Sequence, residues 1–119
     1  MLIIKKEQMQ QIGQRQFAWR MREILNEAFQ ESKEIPASEL EDALIELSEH
    51  AEEYGLNLET EVAPYIVCAW LFGFDFDINF PFVRSLLSDG DMSALDKAEW
   101  LWDFAEEGID ILEEETEGL

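Results

Sequence analysis

The chain reads as an all-α protein: a single domain of about five helices around a buried central one at residues 60–73. Two observations point there. Between Val62 and Phe74 no residue carries a charge, whereas the sequence on either side is charged and apolar at helical spacing. Pro36, Gly55, Gly73 and Pro81 divide the chain into segments of helix length. At 119 residues the chain is long enough to bury one core without disulfides or metal.

From Lys5 to about Ser32 there is no proline, and apolar residues recur three and four apart. Met9, Ile12 and Trp19, then Phe17, Met21, Ile24, Leu25, Ala28 and Phe29, would form the buried stripe of a long first helix. Leu2, Ile3 and Ile4 are expected to form either a short extended arm or the packed lead-in to it. Arg15, Arg20 and Arg22 are its concentrated positive charge and are expected to pair with acids of the same molecule. Ser38 with Glu41 has capping-box spacing, so a second helix is expected to begin there. Leu40, Ala43, Leu44, Leu47, Ala51 and Tyr54 would face inward, with Glu39, Asp42, Glu46, Glu49, Glu52 and Glu53 in solvent. Gly55 should stop it in a left-handed conformation, with Leu56 folding back on the last turn.

Thr60 is the expected cap of the central helix, with Pro64 in its first turn and Gly73 at its end. The stretch Phe74–Pro81 alternates apolar residues with Asp75, Asp77 and Asn79. An extended loop would bury Phe74, Phe76, Ile78 and Phe80 and show the carboxylates. Pro81 suits the first position of a short helix to Leu87, with Phe82, Val83 and Leu86 inward. Ser93 and Asp96 offer a cap for the last helix, running to about Glu114 with Leu95, Ala98, Leu101, Trp102, Ala105, Ile109 and Leu112 inside. Trp100 and Phe104 fall off that stripe, so at least one should be exposed or make a second contact. The acidic tail at 113–119 is expected to fray.

Charge is the unusual property. Residues 1–33 hold six basic and four acidic side chains, residues 34–119 two basic and twenty-four acidic, and the net charge is −20. Such a surface repels nucleic acid and anionic membranes and attracts basic partners. The one cysteine, Cys68, cannot form an internal disulfide and suits a reducing compartment. No secretory signal or membrane-spanning apolar run is evident, so the expected location is the cytoplasm.

Few residues suggest chemistry. Asp75, Asp77 and Asn79 match the first three ligands of a calcium loop, but Phe80 stands where the turn needs glycine and Leu86 where it needs glutamate. His50, the only histidine, has no second histidine or cysteine beside it. With no phosphate loop or nucleophile elbow, the expectation is a non-enzymatic protein with no metal and no cofactor. Two readings remain: the acids are only a solvated face, or they bind a basic partner, and carboxylates beside aromatics are natural residues for binding. Asp75, Asp77, Asp103, Glu106 and Glu107, with Trp100 as an aromatic anchor, are the expected partner contacts.

Four segments carry a family resemblance: MLIIKKEQ at the start, AEEYGLNLETEVAPYI, LFGFDFD with Pro81 following, and ALDKAEWL. Together they resemble a group of small helical proteins encoded beside effectors of bacterial type VI secretion systems. The resemblance implies an accessory role, either an immunity protein that neutralises a cognate toxin or a chaperone or adaptor that loads an effector, the latter as a homodimer in one version. It supplies no catalytic residues. The chain is more acidic and poorer in arginine than the group, which implies a differently charged partner. The reading adopted is an immunity-type inhibitor that occludes a basic toxin through its acidic face.

Overall fold

The computed structural model describes the backbone of residues 6–117 and the side chains of residues 13–110. The protein is all-α. Its helices are α1 (Lys6–Ala28), α2 (Ala37–Glu53), α3 (Glu59–Phe72), α4 (Phe76–Asn79), α5 (Pro81–Leu87) and α6 (Ala94–Glu117), with a 3₁₀ turn at Gln30–Glu34. No strand occurs among the described residues. The roles expected of Leu2, Ile3, Ile4, Met9, Ile12 and Leu112 fall outside the described side chains.

The chain divides into two units, Met1–Glu49 and His50–Leu119. In the first, α1 buries Phe17, Ala18, Met21 and Leu25. Trp19 and Ile24, expected in that stripe, are instead half exposed, because the buried residues follow an i, i+4 line that leaves both off it. Two of the three arginines of α1 meet acids of α2: Arg15 pairs with Asp42 at 3.0 Å, and Arg22 lies 3.9 Å from Glu41. α1 ends at Ala28, and the 3₁₀ turn carries the chain toward Pro36, with the buried Ser32 hydroxyl donating to the Phe29 carbonyl at 2.9 Å. α2 starts at Ala37, one residue before the expected cap. Ser38 is therefore inside the helix, and the first bond runs from Leu40 N–H to the Pro36 carbonyl. Leu40, Leu44, Leu47 and Ala51 are buried and all six acids of the opposite face are exposed, as the spacing predicts.

α2 stops as expected. Gly55 takes φ +86°, a conformation that costs a side-chain-bearing residue, and Leu56 N–H reaches back to the Ala51 carbonyl while its side chain is fully buried. α3 begins at Glu59, and its cap lies two residues before the predicted Thr60. Leu58 occupies the N-cap, and Glu61 accepts from the backbone N–H groups of Leu58 (3.0 Å) and Asn57 (3.2 Å), so Thr60 is helical and Pro64 lies in the second turn. Residues 64–69 are buried without a break, which means the helix is covered around its circumference. Each fully buried large aliphatic side chain, such as Ile66, contributes about 1.5–3 kcal/mol. Gly73 ends the helix at φ +107°.

The segment after Gly73 differs from its expected form. Its centre is the helical turn α4, not an extended loop, and so Phe76 and Asp77 are buried together while Phe74 and Ile78 face solvent. Pro81 starts α5 as predicted, but Phe82 is 53% exposed, and Val83 and Leu87 supply the buried face. Ser93 caps α6, its Oγ accepting from Asp96 N–H at 3.1 Å. α6 remains helical to Glu117, past its expected end, and packs along α3. Its inner line is Lys97, Ala98, Leu101, Ala105 and Gly108; Leu95 and Trp102, expected inside, are 62% and 42% exposed. Three of these positions are small, Ala98, Ala105 and Gly108, with Leu101 fully buried among them, and the Phe72 ring sits where a side chain on Gly108 would be.

Candidate partner-binding site

The end of α3, the α4–α5 junction and the first half of α6 gather five aromatic rings. Phe80 closes α4 and opens α5, which sets Phe80 and Phe82 side by side with centroids 5.8 Å apart. On α6, Trp100 and Phe104 are one turn apart and stack at 5.2 Å with planes 14° apart. Phe72 lies 4.4 Å from Phe104, and Phe82 meets Trp100 and Phe104 edge-on at 6.2 and 5.7 Å. Such pairs add about 0.5–1.5 kcal/mol each beyond burial, so the cluster is fixed while Phe82 stays half in solvent.

Beside the stack, Asp103 and Glu107 join Trp100 and Phe104 around a shallow open depression of about 80 Å³. The four residues stand at helical positions i, i+3, i+4 and i+7 and form one patch of the α6 surface, aromatic along one edge and anionic along the other. Three of the six expected contacts, Trp100, Asp103 and Glu107, are thus brought together. Glu106 is exposed on α6 but does not line the depression, and Asp75 is exposed in the turn before α4.

Asp77 is a correction. The expectation that it displays its charge to a partner fails because α4 turns it inward: it is 7% exposed, and the Tyr54 hydroxyl donates to its carboxylate at 2.6 Å. It belongs to a buried polar group that periodicity could not locate. Lys97, also buried, donates from Nζ to the Tyr54 carbonyl at 3.0 Å, just past the C-terminal end of α2, where a cation suits the helix dipole. Burial and then the Asp77 bond push the Tyr54 hydroxyl up to about 12. The Tyr65 hydroxyl has no hydrogen-bond partner among the described residues, and burial raises it further.

Phe82 was missed as a member of the site, since its position follows from how α5 docks and not from any local signal. Phe104 was not among the expected contacts either, although it lies four residues after Trp100 on one helix with acids at the same spacing, a signal that could have found it. Cys68 is buried inside α3, its thiol directed to the Leu101 carbonyl at 3.2 Å and pushed up to about 12 by desolvation. Among the described residues no group of three or more His, Cys, Asp or Glu could hold a metal ion, and no helix is long and apolar enough to cross a membrane. What the α5–α6 surface can do is bind: a fixed aromatic platform, partly exposed and bordered by carboxylates, is complementary to a cationic surface.

Compared with protein-family models, with proteins of known function and with solved structures, the chain matches none. The likeness to type VI accessory proteins therefore rests on the short segments quoted for it.

Proposed function

We propose that the chain is a non-enzymatic binding protein that docks a basic partner protein on the α5–α6 face, and that it acts as an immunity-type inhibitor of a cognate antibacterial toxin. The observation that carries the binding reading is the Trp100–Phe104 stack with Asp103 and Glu107 beside it, in a chain of net charge −20. Steering by so many like charges speeds encounter with a cationic surface, and the aromatic rings supply the short-range contact that holds it. Inhibition follows from occlusion and asks for no chemistry of the chain's own. The toxin as partner comes from the sequence resemblance.

The test is growth of a sensitive host expressing a candidate toxin, taken from any toxin-like gene found beside this one, with and without this protein, with the toxin level followed by blot. Rescue at unchanged toxin level, lost in an Asp103→Asn/Glu107→Gln variant, is the expected result. A second reading has its own support. Ile78, Phe82, Leu95 and Trp102 are large apolar residues left exposed, the kind of side chain a chaperone or loading adaptor would use. That reading predicts no rescue and a more abundant or more soluble neighbour protein, an outcome that would sink the inhibitor.

A further inference from the structure

We infer that the depression on α6 takes an arginine side chain of the partner, its guanidinium lying on the Trp100–Phe104 stack and donating to Asp103 and Glu107. The inference rests on the docking reading and specifies the chemistry of its centre. Asp103 and Glu107 are exposed, one helical turn apart, and neither has an ion-pair partner among the described residues. The two cations of residues 50–119 are Arg84 and Lys97. Lys97 is buried on the Tyr54 carbonyl, and among the described residues neither it nor Arg84 forms an ion pair with Asp103 or Glu107.

The shape of the patch selects the cation. Trp100 and Phe104 lie face to face with planes 14° apart, so each covers one face of the other, and a planar guanidinium can stack on the Trp100 face that Phe104 leaves open while its in-plane N–H groups point sideways to the carboxylates at the border. A lysine ammonium is a compact, strongly hydrated point charge. It gains the attraction to a ring face but not the stacking, nor the fork of parallel donors. A bare metal ion is disfavoured because half of the border is hydrocarbon and offers no ligand atoms.

The experiment uses the full chain, labelled for amide NMR, titrated separately with the capped tripeptides Gly-Arg-Gly and Gly-Lys-Gly. The Trp100 indole signal is assigned by its loss in Trp100→Phe. The expected result is that the arginine peptide shifts the Trp100 indole and the Asp103 and Glu107 amides, saturates at several-fold lower concentration than the lysine peptide, and loses several-fold in affinity in Asp103→Asn/Glu107→Gln. Equal responses to both peptides at these residues overturn the arginine assignment and leave the face as a general cation-docking surface. If neither peptide perturbs these residues, both the assignment and the placement of the docking face are overturned.

Discussion

The Tyr54 hydroxyl bonds to the Asp77 carboxylate, and this contact joins the turn after α2 to the short helix α4. A hydrogen bond to a buried charged group leaves a costly orphan when either partner is removed. Tyr54→Phe and Asp77→Asn should each lower stability by about 1–3 kcal/mol. The double variant should fall short of the sum by at least about 0.5 kcal/mol, because the second change removes a contact already broken. Urea denaturation of the four proteins measures this; full additivity would show that the bond contributes nothing.

The same pair makes stability depend on pH at the alkaline end. Tyr54 ionises at about 12 in the folded protein against 10.0 for a free tyrosine, chiefly through burial and secondarily through Asp77, and Tyr65 is raised further by burial. Above the lower value the unfolded chain releases protons that the folded chain keeps. Stability is therefore full below about pH 10 and declines as pH rises toward about 12. Denaturation midpoints across that window should fall less steeply for Tyr54→Phe than for the unsubstituted chain. Parallel slopes would contradict the account.

Two glycines inside helices should respond to alanine with opposite signs. At Gly13 a Cβ meets nothing, and Gly13→Ala should stabilise by about 0.5–1 kcal/mol through helix propensity. At Gly108 a Cβ would collide with the Phe72 ring, and Gly108→Ala should destabilise by about 1–3 kcal/mol despite the same propensity gain. Shortening the obstacle with Phe72→Leu should recover part of that loss. Thermal melts of the three variants are sufficient, and a gain at Gly108 would mean that Phe72 moves aside freely.

What the sequence makes legible is local. Gly55, Gly73, Pro81 and the Ser93 cap each act within one turn of chain, and each lies where its own chemistry requires. The charge-free run at α3 is legible for the same reason, since six consecutive buried residues need no knowledge of a neighbour. What fails depends on a partner element. Leu95 and Trp102 are apolar, yet they face outward, and the buried side of α6 carries Ala98, Leu101, Ala105 and Gly108, of which all but Leu101 are small. A stripe of small residues was the available signal, and a search for large apolar ones passes over it.

The candidate site divides in the same way. Trp100, Asp103 and Glu107 share one helix, so spacing alone places them together. Asp77 sits in a stretch whose alternation imitates an extended segment, and only the tertiary placement of Tyr54 shows that its carboxylate is an internal acceptor. Lys97, in an acidic and amphipathic helix, carries no sign in sequence that its amine will be buried.

That burial has a practical side. Every other lysine precedes residue 34, and the Lys97 amine is sequestered on the Tyr54 carbonyl. Lysine-directed coupling will therefore tether the chain by its first third. The α5–α6 face is left unmodified and free to present to a candidate partner on a sensor surface.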